Sequence, residues 1–313
     1  MKYKEAKYEV ITSAYANEFR SELKGIPASR DVLNKAVSDN GMSFLPETVE
    51  NRLRAFLKEN SVFRSLASVF TSYDGSHTIN TFTYNDYAEF IPEGEEIPIK
   101  KPGEDFDRLE VQSHKLAVFY KLPLEFVHDS AFCTEDYIAK RTAKNVANAE
   151  NKAFLLGDGE TEPTGLLHDT KGAEVGVTAD ALSYDGIVEL FFSVKPEYRT
   201  KAVWIMNDKT ALALRKLKDE AGFPLWNGNH DTILGKPMVI CNDMPDADVG
   251  EKCILFGDMS YYWIVERAPV CLKTLTELFA IRGQIGYMGT EFIDGKLIRS
   301  DAVKVLQIEA DSE

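Results

Sequence analysis

The sequence predicts an α+β fold divided between two lobes, with a long hairpin standing off one of them. Three observations carry this. The chain has 313 residues, more than one hydrophobic core comfortably holds. Its texture changes near Ser183 from long runs to short alternating helices and strands. Two β-rich runs, residues 77–90 (HTINTFTYNDYAEF) and 108–127 (RLEVQSHKLAVFYKLPLEFV), flank a wide tip, IPEGEEIPIKKPGEDFD. A hairpin ordinarily turns in two to five residues, so this one reaches for something its own core does not supply.

Composition narrows the function. With 44% apolar and 27% charged residues the chain reads as globular rather than disordered. Lys and Arg total 36 against 50 Asp and Glu, a formal charge of −14. That balance argues against a protein whose main work is gripping phosphate backbones, though not against one that encloses nucleic acid. The opening MKYKEAKYEVITSAYANEF lacks an apolar signal core, and no apolar run approaches the roughly 20 residues that span a bilayer. No membrane role is expected. Cys133, Cys241, Cys253 and Cys271 are scattered without a Cys-x-x-Cys pair and are expected to be free thiols of a reducing compartment.

Residues 1–45 are charged, with helical patches such as 18–24 before Gly25, and are expected to form a peripheral arm outside the core. After Pro46, the spacing of Val49, Leu53 and Leu57 predicts a helix closed by Asn60. In the hairpin, Leu109 and Val111 occupy odd positions whereas Leu116, Val118, Tyr120 and Leu122 occupy even ones. The apolar phase flips near residues 113–115, which predicts a bulge or a change of packing partner. CTEDYIAKRTAKNVANAENKAFLLGDG predicts a long helix capped by Thr134 and ended by Gly157, with a stripe of Ile138, Thr142, Val146, Ala149 and Ala153. Beyond residue 182, YDGIVELFFSV and DKTALALRKLKDEAG (ending at Gly222) read as helices. KAVWIMN, GKPMVI, KCILFG and YYWIVE read as short strands, and residues 272–287 and 296–308 as longer ones.

No catalytic constellation survives inspection. Gly157 and Gly159 in LLGDGETEPTGLL follow a helix, whereas a phosphate loop must open one to offer its N–H groups. His77, His114, His128, His168 and His230 lack partners at metal-ligand spacing. Val127–His128–Asp129–Ser130 are neighbours, and triads assemble from separated loops. Arg215, Lys216 and Lys218 are followed by Asp219 and Glu220, the pattern of a solvated helix face. Trp204, Trp226 and Trp263 sit in apolar contexts that point to packing. Neither cofactor nor metal is expected.

The order of features carries a resemblance. FLPETVENRLRAFLKENSVFRSLASV, the hairpin with its Lys-Pro tip, NKAFLLGDGETEPTGLL, WIMNDKTALALRKLKDEAGFPLW, ILGKPMVICNDMP and LFGDMSYYWIVER follow one another. Over residues 42–308 the chain resembles the major capsid proteins of tailed double-stranded-DNA bacteriophages, the Hong Kong 97-type capsid family. The resemblance implies an N-terminal arm (1–45) and an extended loop (77–123). It implies a peripheral domain (46–76, 124–181 and 267–299) with a spine helix at 134–156, and an axial domain (182–266 and 300–313). The implied role is structural and non-enzymatic: self-assembly into pentamers and hexamers that form an icosahedral shell around packaged phage DNA, without sequence-specific binding. A scaffolding protein, a portal and a maturation protease are the implied partners, and the virion capsid, assembled in the bacterial host cytoplasm, the implied location. The extended loop would lie across a neighbour, making Glu93, Glu95, Glu96, Lys100, Lys101, Glu104 and Asp105 intersubunit contacts. Charge and proline there keep a lone strand edge from pairing indiscriminately.

Some members of this family cross-link a loop lysine to a neighbour's asparagine with help from a buried glutamate. Lys100 or Lys101 matches the lysine and Glu291 lies near the glutamate's place, but Gly283 and Gln284 stand where asparagine is expected, so no cross-link is expected here. Two other readings remain from the sequence: an encapsulin-like compartment of the same fold, and a nucleotide-binding enzyme using residues 157–165.

Overall fold

The computed structural model describes residues 13–25, 47–71, 78–82, 90–92, 106–129, 133–218 and 232–309. In chain order, α1 (Ser13–Leu23), α2 (Glu47–Asn60) and short α3 (Val62–Leu66) lead into β1 (Ser68–Thr71). The ribbon strands β2 (Thr78–Phe82) and β3 (Phe106–Glu110) precede β4 (His114–Pro123), α4 (Leu124–His128) and the spine helix α5 (Thr134–Leu156). Next come β5 (Glu174–Ala179), α6 (Tyr184–Ser193), α7 (Pro196–Arg199), β6 (Val203–Met206) and α8 (Asp208–Arg215). β7 (Thr232–Ile233), β8 (Lys236–Ile240), β9 (Lys252–Gly257), β10 (Tyr262–Leu275), β11 (Gln284–Leu297) and β12 (Val303–Ile308) follow.

Val49, Leu53 and Leu57 recur every fourth residue on α2, and that face is buried against the spine helix, as its period requires. The arm departs from expectation. Phe19 and Leu23, one helical turn apart on α1, are fully buried in the same core as the spine. Arg20 Nε donates to Glu135 at 2.7 Å, and the Tyr287 hydroxyl donates to the Leu23 carbonyl at 2.5 Å. Two large apolar groups on one face had surface to hide, and the spine offered the place.

The spine helix starts at Thr134 itself rather than being capped by it. Cys133 precedes it without a side-chain cap, and the Thr134 hydroxyl reaches back to the Val127 carbonyl at 3.5 Å. Glu135 and Asp136 remain in the first turn, where the helix dipole favours them. Gly157 ends the helix, but with φ −60° rather than a left-handed backbone. Its need is space: a Cβ would lie 2.0 Å from the Pro163 carbonyl oxygen. The expected stripe holds for Ile138, Thr142 and Val146, while Ala149 and Ala153 are half-buried and Glu150, Asn151, Phe154 and Leu155 are buried instead. The helix changes partners along its length. Its earlier turns pack with α1, α2, β4, β10 and β11, whereas Phe154 and Leu155 enter the core of the other lobe.

Two main sheets divide the described residues. One has four strands in the order β1-β10-β11-β4 and the other six, in the order β5-β12-β9-β6-β8-β7. β6 is buried at all four residues, as its unbroken apolar run predicts, and Trp204 stacks on Phe256 of β9 with ring centroids 4.0 Å apart. The strands expected at 272–287 and 296–308 are differently cut. YYWIVE is the start of β10, which runs to Leu275; a turn with Gly283 at φ 61° reverses the chain into β11, and β12 begins at Val303. The helix expected to reach Gly222 stops at Arg215, and Gly222 lies outside the described residues. β5, from the span expected for the peripheral domain, edges the six-stranded sheet, and residues 262–266, from the axial span, belong to the four-stranded one.

Candidate functional site

β2 and β3 form a two-stranded sheet of their own, from Thr78↔Glu110 to Phe82↔Phe106, and pair with neither main sheet. The return run expected over 108–127 is three elements: β3, then β4 after a break at 111–113, then α4 from Leu124. Pro123 begins that last change. Its φ of −60° suits the residue before a helix, and the next N–H, of Leu124, donates to the Gly283 carbonyl at 2.9 Å. The flip in apolar phase falls beside the break. β4, within the span expected for the loop, pairs ten residues with β11, Gln284↔Pro123 to Ile293↔His114, so it is a sheet strand. The tip residues Glu93, Glu95, Glu96, Lys100, Lys101, Glu104 and Asp105 lie outside the described residues.

Asp294 of β11 anchors the break. Its carboxylate accepts from Gln112 N–H at 2.7 Å and from Gly295 N–H at 2.8 Å, with His114 Nε2 at 3.6 Å and Lys296 Nζ at 3.8 Å. Lys296 also donates to the Glu110 carbonyl, and Val111 is buried beside them. Burial pushes the Asp294 carboxyl above its ordinary value, against the pull of those donors. The ribbon therefore leaves the body at a fixed elbow.

Arg64 of α3 sits among three carboxylates from three other elements. Its Nε and Nη2 bind Glu150 of the spine bidentately at 2.7 and 2.6 Å. Nη2 also donates to Glu291 of β11 at 2.8 Å, and Nη1 to Glu266 of β10. All four side chains are at most 10% exposed. Burial alone would lower the arginine's pKa, but the carboxylates outweigh it and hold the charge. One cation does not balance three anions: burial, then Glu150, pushes Glu291 well above the carboxyl range despite Arg64, and its Oε2 is buried without a partner. A proton rests most readily there. Sequence reading missed Arg64, Glu150, Glu266 and Asp294. A signal for Glu150 existed, since it continues the buried register of Val146 and precedes Phe154 by one turn.

The 157–165 turn is closed to phosphate by its own chemistry. Asp158 accepts the backbone N–H groups of Glu160, Thr161 and Glu162 at 2.9–3.0 Å and the Thr161 hydroxyl at 2.7 Å, which hold its carboxyl well below the ordinary range. The donors an anion would need already serve an anion. His168 Nδ1 likewise accepts from Thr170 and Lys171 N–H at 3.2 Å. Among the described residues no group of His, Cys, Asp and Glu is arranged to hold a metal ion, and no helix is long and apolar enough to cross a membrane. Cys241, Cys253 and Cys271 are buried and Cys133 is exposed, none of the four in a disulfide. His77, His230, Ser130 and Trp226 lie outside the described residues.

Gln284 and Glu291 are seven residues apart on one strand, hence on opposite faces and about 23 Å apart. Glu291 faces the spine and is committed to Arg64. Within one subunit the two cannot share a reaction.

Comparison with known proteins agrees with this architecture. No curated protein matches the chain. Among solved structures, the capsid of an empty GTA particle is 30% identical with a TM-score of 0.69, covering 80% of this chain and 90% of that one. The capsid of the native GTA particle is 29% identical at 0.67, covering 88% and 94%. A Microbacterium phage Oxtober96 chain, 17% identical at 0.59 and covering 90% and 99%, shares the fold. The model of the phage capsid family matches residues 41–308. A match from before α2 to the end of β12 takes in both sheets, the ribbon and the spine: the chain belongs to the phage capsid family.

Proposed function

We propose that this chain is the structural subunit of a phage shell: copies associate as pentamers and hexamers, which close into an icosahedral capsid around packaged double-stranded DNA. It is non-enzymatic. The observation that carries the reading is the ribbon, which among the described residues pairs only with itself and stands on a braced elbow. Such a strand pair finds its use on another copy, and Glu93, Glu95, Glu96, Lys100, Lys101, Glu104 and Asp105 are its proposed contacts. The lobe of the four-stranded sheet and spine helix serves as the peripheral domain, and the six-stranded lobe as the axial domain at capsomer centres. A scaffolding protein, a portal and a maturation protease are proposed partners, with assembly in the bacterial cytoplasm and the virion as destination. The overall charge of −14 suits a wall along which DNA is spooled in and ejected.

The test is expression of the full chain, alone and with a scaffolding protein, followed by sedimentation and negative-stain microscopy. Capsomers or closed shells of megadalton size are expected. A protein that stays monomeric under both conditions refutes the proposal.

A further inference from the structure

We propose that one face of the α2–α5 helix pair is a contact surface for the phosphate backbone of double-stranded DNA, an inference that rests on the shell enclosing DNA. Beyond its first turns the spine helix exposes Lys140, Lys144, Asn145, Asn148, Lys152 and Leu156. Steps of four residues align Lys140, Lys144, Asn148 and Lys152 in a ridge about 18 Å long. Glu150, the acidic residue in this stretch, is turned inward to Arg64, so from Lys144 to Lys152 no carboxylate of the helix interrupts the ridge.

The ridge continues at both ends. Lys140 Nζ pairs with Asp136 at 2.8 Å and lies 5.4 Å over the Phe56 ring, which joins it to α2. Exposed Arg52, one turn before Phe56, extends the positive face, with Glu59 as the acid at that border. At the other end Ala149 and Ala153 line a cavity of about 280 Å³ with His114, exposed Lys115 and Glu162. Lys115, Lys144 and Lys152 have no ion pair among the described residues.

Two features choose the ligand. A positive ridge in a chain of charge −14 is the footprint of a polyanion, and the asparagines between the lysines add neutral donors of the kind that bind phosphate oxygens. The exposed positions carry no aromatic ring; unstacked bases need such platforms, whereas a duplex backbone does not. With so few cations the hold is weak, salt-sensitive and blind to sequence.

The experiment titrates unassembled full-length subunits with a fluorescent duplex of about 30 base pairs at about 50 mM and about 200 mM salt. Wild-type subunits are expected to bind, more tightly at the lower salt. K115Q/K144Q/K152Q removes three phosphate contacts, flattening the slope of log K against log salt by about 2.7, an approximately 40-fold smaller salt effect between the two conditions. The matching triple arginine variant retains the wild-type slope, and shell formation, followed in parallel by sedimentation, is unchanged in both. The proposal is wrong if wild-type subunits do not bind at the lower salt, or if the glutamine variant keeps the slope. It is also wrong if polyglutamate of matched charge binds the subunit more tightly than the duplex does, which makes the ridge a site for an acidic protein segment. Loss of shells in the glutamine variant makes it a subunit contact instead. Wild-type protein that forms no shells under any condition overturns the shell reading, whatever the duplex titration gives.

Discussion

Replacing Arg64 with methionine should destabilise the folded subunit by about 3–5 kcal/mol, the usual result of removing one partner from a buried ion pair. The structure places Arg64 at the high end. Four of its hydrogen bonds are lost at once, and Glu150, Glu266 and Glu291 are left as buried carboxylates with no cation among them. Against a total stability of about 5–15 kcal/mol, that is a large share. Glu291 supplies a second, signed expectation. Its folded pKa is raised above the ordinary carboxyl value, so the folded state holds more protons than the unfolded one between the two values. Its favourable contribution is complete below the ordinary value and is lost as pH rises through the folded one, at about 1.4 kcal/mol per pH unit within that window. Glu291→Gln, neutral at every pH, should remove this slope and raise stability at neutral pH. The Arg64→Met deficit should shrink on acidification, as the orphaned carboxyls take up protons. The assay is urea unfolding of unassembled subunits followed by tryptophan fluorescence at several pH values between about 5 and 8. An Arg64→Met subunit within about 1 kcal/mol of wild type at neutral pH, or a Glu291→Gln subunit that keeps the slope, would refute the reasoning.

Three further outcomes are expected. Replacing residues 93–105 with a short glycine-containing turn should leave subunit melting nearly unchanged while assembly falls sharply, since every copy would lose its proposed intersubunit contact; a collapse of melting would instead place the tip in the subunit core. Asp294→Ala should leave the Gln112 and Gly295 amides without their acceptor, cost about 1–3 kcal/mol, and speed limited proteolysis at residues 110–114 more than elsewhere, with uniform cleavage counting against an elbow role. Mature particles boiled in denaturant and reductant should run as a single band, because Gln284 stands where the family's asparagine is expected and Glu291 is committed to Arg64. A ladder that vanishes when Lys100 and Lys101 are both changed to arginine would show the cross-link present.

Local periodicity made much of the fold legible. The α2 face of Val49, Leu53 and Leu57, the extent of the spine, and the buried β6 follow from spacing alone, because each pattern has one favourable way to hide its apolar groups. The phase flip in the hairpin, read near 113–115, fell about two residues beyond the break at 111–113 and did not reveal the change of sheet it marks. What spacing could not supply was partnership across the chain. β10 and β11 were cut wrongly because their boundary is a turn at Gly283 rather than a loss of β character. α1 read as a loose arm because its core partner Tyr287 lies far away in sequence. The Arg64 cluster joins residues 86 to 227 positions away from the arginine, and no local pattern announces a charge that will be buried by distant neighbours. The tip contacts remain a matter for a second copy of the chain.

The braced elbow also sets how one subunit shape can meet unequal surroundings. β4 is fastened to β11 through ten paired residues, and moving it would undo a ladder. The ribbon is joined to β4 by three residues, 111–113, so turning it asks for a few dihedral changes and the adjustment of the Gln112–Asp294 and Lys296–Glu110 hydrogen bonds that brace them. The five paired residues of β2 and β3 span about 17 Å, and a rotation of about 10° at their root carries the far end of the pair about 3 Å. In the proposed shell, a small angular adjustment there lets the ribbon meet differently placed neighbours while the β4–β11 ladder stays as it is.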